Sequence, residues 1–406
     1  MLSAVAEGSG RISGFLAGDD CLCTMAALSE MGIAIDRPDT TDVIVHGKGL
    51  RGLAAPARPL DMGNSGTAMR LFCGLLAGQS FDTTLTGDAS LSVRPMNRVI
   101  KPLSYMGARI DSNDGRPPLN IVRGLDLTGV EYNMPVASAQ VKSALLLAGL
   151  YASGTTSVCE PAETRDHTER MLESMGAVLV RSQGKVAVAG GQSLTAVDIN
   201  VPADLSSAVF ALVAALIADE CEVTVPDVGV NPTRTGVLEI LREMGADIEL
   251  NNERLWGAEP VADITARSSI LTGIDVDPAL VSLAIDEFPI LFATAALARG
   301  STRFSGIGEL RVKESDRIAA MAGGLARLGV RVSETDDGAT VAGGVLSGGS
   351  VESHGDHRIA MAFSIAATRA TGPVEIRDTD AVNTSFPGFA DCMRGIGINI
   401  KTDLDP

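Results

Sequence analysis

The ten residues LREMGADIEL, at positions 241–250, end a helix at a glycine and start a strand. Gly245 lies just after the helix end, where the backbone needs a left-handed conformation that glycine adopts without strain. The same phrase, a large apolar residue, then glycine, then a small or strand-forming residue, recurs along the chain. Its other copies are Met31-Gly32-Ile33, Met106-Gly107-Ala108, Met175-Gly176-Ala177, Leu328-Gly329-Val330 and Ile396-Gly397-Ile398. The sequence therefore predicts six units that each end a helix at a glycine and continue into a strand.

A second kind of helix alternates with the first. It starts with polar residues and continues into alanine and leucine, which is typical of a helix buried on most sides. Its copies are predicted at residues 64–78, 138–149, 206–218, 287–300 and 356–370. The repeat of about 70 residues is longer than the repeats of solenoid proteins. We therefore expect two α/β lobes of three units each.

The first unit departs from this pattern. Its strand is predicted at residues 11–16 and its amphipathic helix at residues 19–31, but only residues 2–8 correspond to the buried helix. We expect that one or two helical turns and the loop before them are absent from the chain as given.

The composition excludes several classes of protein. The 406 residues carry a formal charge of -17 and only 3% aromatic residues, whereas a nucleic-acid-binding protein needs a basic surface and aromatic stacking platforms. The six cysteines form no CxxC pair, and four histidines are few for a metal centre. The longest uncharged run predicted to be helical, residues 205–218, is too short to span a bilayer, and no secretory signal is visible. We expect a soluble, cytoplasmic protein without metal, cofactor, nucleic-acid partner or membrane partner.

The loops before the helices concentrate cations and amides. The helix dipole favours acidic residues in the first turn, so stability alone predicts the opposite charge. Because backbone N–H groups together with arginine or lysine bind phosphate and carboxylate, we interpret these loops as anion sites. The loops are residues 64–70, 94–98, 138–142, 165–169, 231–234, 311–317 and 354–358. Ordinary roles stay open, since Asn231 and Asp356 fit helix N-caps and Asp166 with Glu169 fits a capping box.

Two segments carry candidate acid–base groups. Helical spacing over residues 313–317 would put Lys313 and Arg317 on one face with Glu314 beside them. A carboxylate between two cations suits proton transfer, and a surface ion pair is the alternative. Asp286 and Glu287 begin a predicted buried helix, so one is expected to cap it and the other is a candidate general base.

Eight motifs follow one another along the chain. They are GNSGTAMR at 63–70, RPM at 94–96, SAQVKSALLLAGL at 138–150, RDHTE at 165–169, DEFPIL at 286–291, LRVKESDR at 310–317, DHRIAMAF at 356–363 and TSFPGF at 384–389. In this order they resemble the 3-phosphoshikimate 1-carboxyvinyltransferase (EPSP synthase) family over essentially the whole chain. The resemblance implies an α/β, two-lobed enolpyruvyltransferase fold, an inside-out α/β barrel with three βαβαββ units in each lobe. The lobes would span residues 1–201, with a truncated first unit, and 202–406, with the active site in the cleft between them.

The resemblance also implies a reaction. The family transfers the enolpyruvyl group of phosphoenolpyruvate to the 5-hydroxyl group of 3-phosphoshikimate by addition and then elimination of phosphate, in aromatic amino-acid biosynthesis. The residues implied to bind 3-phosphoshikimate are Ser138, Ala139, Gln140, Arg165, Asp286 and Lys313. Those implied to bind phosphoenolpyruvate are Gly66, Arg94, Gln140, Arg317 and Arg358. Asp286 would act as the base on the 5-hydroxyl group, and Glu314 would exchange the C3 proton.

The chain departs from the family pattern in two places. The N-terminal GDKSISHR-type loop of the family, which contacts both substrates, has no counterpart here, so we expect weak or no activity of the chain as given. Thr384 stands where many members have lysine. The SAQxK, RDHTE and NPTR motifs are similar to those of a glyphosate-tolerant subgroup, whereas Gly66 is the residue of sensitive enzymes. Glyphosate is therefore a candidate inhibitor, and the motifs do not decide whether the protein is sensitive or tolerant.

Two alternative functions remain at this point. A UDP-N-acetylglucosamine 1-carboxyvinyltransferase shares the fold, although its reactive loop cysteine is not evident here. A non-catalytic derivative would keep the fold without the reaction. The family leads us to expect a monomer.

Overall fold

The computed structural model describes residues 1–124 and 126–402. It divides into two compact units. The N-terminal unit comprises Met1–Val201 and Trp256–Ala258, and the C-terminal unit comprises Pro202–Leu255 and Glu259–Pro406.

The N-terminal unit contains three successive groups of elements. The first is α1 (Leu2–Val5), β1 (Glu7–Ser13), α2 (Asp19–Glu30), β2 (Ala34–Asp36) and β3 (Asp42–Lys48). The second is β4 (Leu60–Asp61), α3 (Gly66–Ala77), β5 (Thr83–Thr86), α4 (Ala89–Ser92), α5 (Asn97–Tyr105), β6 (Ile110–Asn113) and β7 (Arg116–Ile121). The third is β8 (Glu131–Asn133), α6 (Ala139–Gly149), β9 (Thr155–Cys159), α7 (His167–Ser174), β10 (Leu179–Ser182) and β11 (Lys185–Ala189). Strand β12 (Ile199–Asn200) follows.

Three sheets of this unit have one topology. Their strand orders are β12-β1-β3-β2, β4-β5-β7-β6 and β8-β9-β11-β10. In each sheet the first two strands are parallel and the other neighbours are antiparallel. Strand β12 thus supplies the parallel edge strand of the first sheet, although it follows the third group in sequence.

The C-terminal unit is built from similar groups of elements, except that its third group ends in two short helices. Its first group is α8 (Leu205–Ile217), β13 (Glu222–Gly229), α9 (Gly236–Glu243), β14 (Asp247–Trp256) and β15 (Glu259–Arg267). The second is a 3₁₀ helix (Pro278–Leu280), α10 (Val281–Ala284), α11 (Phe288–Leu297), β16 (Ser301–Phe304), a 3₁₀ helix (Gly308–Val312), α12 (Arg317–Arg327), β17 (Val332–Thr335) and β18 (Gly338–Ala342). The third is β19 (Gly349–Glu352), α13 (His357–Ala367), β20 (Val374–Arg377), α14 (Val382–Ser385) and α15 (Phe389–Gly395). The strand orders are β13-β15-β14, β16-β18-β17 and β19-β20.

The apolar helices lie inside and the sheets cover them. Helices α3 and α6 pack against each other in the core of the N-terminal unit, and α8, α11 and α13 contact one another in the core of the C-terminal unit. Strands such as β7 alternate between exposed and buried residues, as expected of a sheet with one solvent face. The five predicted buried helices are confirmed. The first strand was predicted at residues 11–16, whereas β1 begins at Glu7 and ends at Ser13.

All six predicted helix-ending glycines are confirmed. Gly32, Gly107, Gly176, Gly245, Gly329 and Gly397 have φ between 84° and 97°. At Gly245, the N–H of Ala246 donates to the carbonyl of Leu241 at 3.0 Å and the N–H of Gly245 donates to that of Arg242 at 2.9 Å. The corresponding pair of hydrogen bonds closes all six helices, so each forms a Schellman motif.

We expect Gly245→Ala to destabilise the C-terminal unit. Alanine in the left-handed conformation is strained by about 1–2 kcal/mol, and its Cβ would lie 3.3 Å from the carbonyl oxygen of Ile270. Gly323→Ala is the matched control, because Gly323 lies inside α12 and its Cβ would meet nothing within 4 Å. Urea unfolding should give a lower midpoint for Gly245→Ala and a higher one for Gly323→Ala, since alanine is the better helix former. Equal midpoints for the two variants would contradict the role assigned to the glycine.

Candidate active site

Two helix N-termini lie side by side in the N-terminal unit. Helix α3 begins after Ser65, whose hydroxyl accepts from the N–H of Ala68 at 3.2 Å. Helix α6 begins after Ser138, whose hydroxyl accepts from the N–H of Val141 at 3.4 Å. Neither helix has an acidic residue in its first turn. The positive ends of both dipoles are therefore left without a local carboxylate, as the anion-site interpretation requires.

A buried arginine joins these two helices. Arg70 donates to Oε1 of Gln140 at 2.9 Å and to the carbonyl of Gly66 at 3.2 Å. The amide of Gln140 in turn donates to the hydroxyl of Thr67 at 2.8 Å. The Gln140 side chain is thus held beside the start of α3. Arg70 lies in the GNSGTAMR motif but was not assigned a role from the sequence; a cation within an otherwise apolar helix was the available signal.

Arg94 also lies near the start of α3. Its guanidinium donates to Oδ1 of Asn64 at 2.6 Å. A Cβ added to Gly66 would lie 2.8 Å from Nη1 of Arg70 and 3.4 Å from Nη1 of Arg94. The structure therefore brings together Gly66, Arg94 and Gln140, three of the residues that the resemblance implies for phosphoenolpyruvate. We call these three residues with Arg70 the α3–α6 cluster.

The other implied residues of this unit lie at neighbouring helix starts. Ala139 is the first residue of α6, and half-buried Arg165 immediately precedes Asp166 at the start of α7. The capping box, left open as an alternative role for Asp166 and Glu169, is not formed. Asp166 makes no side-chain cap and instead accepts from Arg170 at 2.8 Å, because the two are one helical turn apart. Glu169 is buried and pairs with Lys142 at 2.8 Å.

Arg317 is the centre of the site in the C-terminal unit. Its Nε donates to Asp356 at 2.8 Å and its Nη2 donates to Glu314 at 2.7 Å. Its Nη1 lies 3.5 Å from Oδ1 of Asp286 and is buried with no hydrogen-bond partner among the described residues. Arg317 is 2% exposed and Asp356 is 0% exposed. We call Arg317, Asp356, Glu314 and Asp286 the Arg317 cluster.

The electrostatics of this cluster favour the charged forms of Arg317 and Asp356. Burial alone would raise the pKa of Asp356, but the adjacent Arg317 guanidinium outweighs it and holds that pKa below its usual range. Burial alone would lower the pKa of Arg317, but the carboxylates of Asp356, Glu314 and Asp286 together raise it. Asp356 also accepts from the N–H of Arg358 at 2.9 Å and so caps α13, as expected. Its contact with Arg317 was not predicted.

Lys313 also lies near the carboxylate of Asp286, but it is not brought there by the helix that the sequence predicts. Its Nζ lies 3.6 Å from Oδ1 of Asp286, close to the 3.5 Å of Arg317 Nη1. The prediction of a helix over residues 313–317 is wrong, because a 3₁₀ helix ends at Val312 and α12 begins only at Arg317. Tertiary contact with Asp286, and not helical spacing, brings the two cations together.

Arg358 and Glu287 complete this part of the site. Arg358 donates to the carbonyl of Asp286 at 2.9 Å and lies 3.5 Å from Oε1 of Glu287. Glu287 occupies the N-cap position of α11 without a side-chain cap; its buried carboxylate accepts from the hydroxyl of Ser206 and lies 3.9 Å from Arg234. Asp286, at 15% side-chain exposure, is the more accessible of the two acids. Glu287 therefore orients Arg358, which leaves Asp286 as the candidate base.

The described residues place cations at helix N-termini and include no cluster of metal ligands. Across residues 1–124 and 126–402, no group of three or more histidine, cysteine, aspartate or glutamate side chains could hold a metal ion. In the same part of the chain, no helix is long and apolar enough to cross a membrane. What each unit presents is a set of arginine or lysine side chains next to helix N-termini, the arrangement that binds phosphate and carboxylate groups.

Comparisons with known proteins agree on one family. The sequence model of EPSP synthase (3-phosphoshikimate 1-carboxyvinyltransferase) matches residues 1–393. The 3-phosphoshikimate 1-carboxyvinyltransferase of Alkalilimnicola ehrlichii is 59% identical over 400 residues, which cover 98% of this chain and 90% of the relative. That of Methylococcus capsulatus is 57% identical over 402 residues, covering 99% of this chain and 92% of the relative. The solved structure of EPSP synthase from Acinetobacter baumannii has a TM-score of 0.90 and 50% identity, and the match covers 99% of this chain and 93% of that one.

His357, next to the Arg317 cluster, predicts a pH dependence of stability. Burial, and then the positive charge of Arg358, lower the pKa of His357 from 6.5 to about 4. The unfolded chain therefore takes up a proton near pH 6.5, whereas the folded chain resists it until about pH 4, so His357 makes stability fall as the pH falls through this window. We expect His357→Gln to flatten the dependence of the unfolding free energy on pH between 6.5 and 4, measured by urea unfolding.

The control for this pH series is His354→Asn, since His354 is an exposed histidine three residues before His357. It should keep the slope of the wild-type protein. If His357→Gln also keeps that slope, burial of the imidazole does not cause the pH dependence.

Proposed function

The chain belongs to the EPSP synthase family, and we propose that it transfers the enolpyruvyl group of phosphoenolpyruvate to the 5-hydroxyl group of 3-phosphoshikimate. The protein is an enolpyruvyl transferase, and the relatives' names favour 3-phosphoshikimate over the UDP-linked sugar of the alternative. The observation that carries the proposal is Arg317, a buried cation that keeps one nitrogen without a hydrogen-bond partner among the described residues. An oxygen of an anionic substrate would satisfy that nitrogen.

We propose that phosphoenolpyruvate is bound by the arginine side chains that the family resemblance implies. Arg317 and Arg358 of the C-terminal unit and Arg94 of the N-terminal unit would neutralise its carboxylate and phosphate, because a planar guanidinium makes two parallel hydrogen bonds to such groups. Gly66 and Gln140 would contact it next to Arg94. The support in the structure is that Gly66, Gln140 and Arg94 already lie together and that Arg358 is fixed by Asp286 and Glu287.

We propose that 3-phosphoshikimate is bound at the start of α6 and by the loop before α7. Ser138, Ala139, Gln140 and Arg165 would bind it from the N-terminal unit. Ser138 accepts the cap hydrogen bond, so its O–H still has a proton to donate to a phosphate oxygen. Lys313 and Asp286 would bind it from the C-terminal unit, with Asp286 close to the 5-hydroxyl group.

The proposed reaction needs one base and one proton carrier. Asp286 takes the proton of the 5-hydroxyl group as its oxygen bonds to C2 of phosphoenolpyruvate, and Glu314 gives a proton to C3. Glu314 then takes back a C3 proton as the C2–O bond to phosphate breaks and phosphate leaves. The Arg317 guanidinium, 2.7 Å from Glu314, would stabilise the negative charge that the leaving phosphate gains.

A choice between two substrates tests the proposed function. Release of inorganic phosphate from phosphoenolpyruvate should occur with 3-phosphoshikimate and not with UDP-N-acetylglucosamine. We also propose that glyphosate, which carries a phosphonate and a carboxylate, inhibits this reaction in competition with phosphoenolpyruvate. Phosphate release from phosphoenolpyruvate with UDP-N-acetylglucosamine but not with 3-phosphoshikimate would establish the alternative transferase. No binding of 3-phosphoshikimate by calorimetry, even with phosphoenolpyruvate or glyphosate present, would establish a non-catalytic derivative.

Glu314→Gln tests the proton carrier. Because general acid–base catalysis contributes about 10²–10⁴-fold, kcat should fall by that factor while the carboxamide preserves the size of the side chain. Glu309→Gln is the matched control, since Glu309 also lies near a cation of the site, 3.7 Å from Lys313, without a proposed proton-transfer role. Steady-state kinetics with both substrates provide the measurement. Equal, small losses of kcat in the two variants would remove Glu314 from the mechanism.

A further inference from the structure

Lys142 is a fully buried cation for which the proposed reaction has no use. It lies in α6, a helix otherwise made mostly of alanine and leucine, and it is 1% exposed. Its Nζ is 2.8 Å from Glu160, 2.8 Å from Glu169 and 3.2 Å from the carbonyl oxygen of Thr164. An ammonium group has three N–H donors, so these three acceptors use all of them. The interaction is confined to the N-terminal unit and links α6, the end of β9, the loop after it and α7.

Stability alone does not account for this group of charges. Two carboxylates face one cation, and Oε2 of Glu169 is buried with no hydrogen-bond partner among the described residues. Burial, which outweighs the attraction of Lys142, raises the pKa of Glu169. Well-packed apolar residues of similar volume are often as stable as buried ions, or more so. A group of this kind is better explained by the geometry that it imposes.

The geometry that Lys142 imposes joins two segments of the proposed 3-phosphoshikimate site. Its backbone N–H donates to the carbonyl of Ser138 at 3.0 Å, within the turn that carries Ser138, Ala139 and Gln140. Its side chain holds the carbonyl of Thr164, the residue directly before Arg165. A hydrogen bond of 2.8 Å between the hydroxyls of Ser143 and Thr168 also links α6 to α7. The buried Lys142 side chain is thus the contact that directly holds the loop carrying Arg165 against α6.

The phosphoenolpyruvate residues of the N-terminal unit are held differently. Gln140 is fixed by Arg70 and Thr67 of α3. Arg94 is fixed by Asn64 at 2.6 Å and Ser90 at 3.2 Å. None of these contacts involves Lys142, so a loss of Lys142 should leave them in place.

We propose that Lys142, together with Glu160 and Glu169, is a positioning site that fixes the Arg165 loop against the start of α6 and so sets the affinity for 3-phosphoshikimate. This inference rests on the proposed function. Lys142 does not touch substrate; it acts through Thr164 and Ser138. Its effect is therefore specific to one of the two substrates.

The test compares KM and kcat in two variants and a control. Lys142→Met removes the cation, and Lys142→Met combined with Glu169→Gln removes one charge of each sign so that the net charge of the buried group is kept. Lys185→Met is the control, because Lys185 makes a 2.7 Å contact with Glu131 in the same unit but is 36% exposed at its side chain. For both Lys142 variants we expect KM for 3-phosphoshikimate to rise at least about tenfold, with KM for phosphoenolpyruvate and kcat within about threefold of the wild-type values. The control should match the wild-type protein.

The outcomes separate the inference from the function on which it rests. If the wild-type protein neither binds 3-phosphoshikimate in calorimetry nor turns over the two substrates, the proposed function fails. If it binds 3-phosphoshikimate, and a folded Lys142 variant keeps the KM for it, or the Kd where turnover is too slow to measure, the inference alone is overturned. A fall in kcat with unchanged KM values, or an equal rise of both KM values, would also overturn it, because general damage to the fold gives those results. Should Lys142→Met fail to fold, the same criteria apply to the charge-balanced double variant.

Discussion

Arg317 and Asp356 form an ion pair on which the C-terminal unit and its chemistry depend. The pair joins the first residue of α12 to the N-cap of α13, and both side chains are removed from water. Such a pair is costly to form and more costly to break, since the loss of either partner leaves a buried charge. Asp356 satisfies one edge of the guanidinium and Glu314 part of the other, while Nη1 keeps no hydrogen-bond partner among the described residues. We propose that the fold thereby holds a cation in place for an anion from outside the chain.

The N-terminal unit follows the same principle with different residues. Helices α3 and α6 carry buried Arg70 and buried Lys142 within their first halves and have no acid in their first turns. Local helix stability favours the opposite charge at these positions. Each of these cations is met by groups from another part of the chain, Gln140 for Arg70 and Glu160 with Glu169 for Lys142. The repeated fold places helix N-termini in each unit. Cations near these N-termini, where helix stability favours acidic residues, make them suited to bind anions.

Local sequence was sufficient to predict the parts of this molecule that local physics determines. The helix-ending glycines need only a left-handed backbone, and the buried helices need only an apolar surface, so both could be read from residue type and spacing. Contacts between distant residues could not. Arg317 and Asp356 are 39 positions apart and Arg70 and Gln140 are 70 apart, and no periodicity relates them. The helix predicted at Lys313 was wrong for the same reason, because that segment is positioned by Asp286 and not by its own hydrogen bonds.

A crystal structure of the protein with 3-phosphoshikimate and phosphoenolpyruvate bound would show which atoms Arg317 contacts. We propose that Asp356 holds buried Arg317 so that its remaining nitrogen meets a substrate anion. The structure should then show a substrate oxygen about 2.7–2.9 Å from Nη1 of Arg317, with the Asp356 contact retained. Two well-ordered substrates with Nη1 contacting only water or protein would contradict the account.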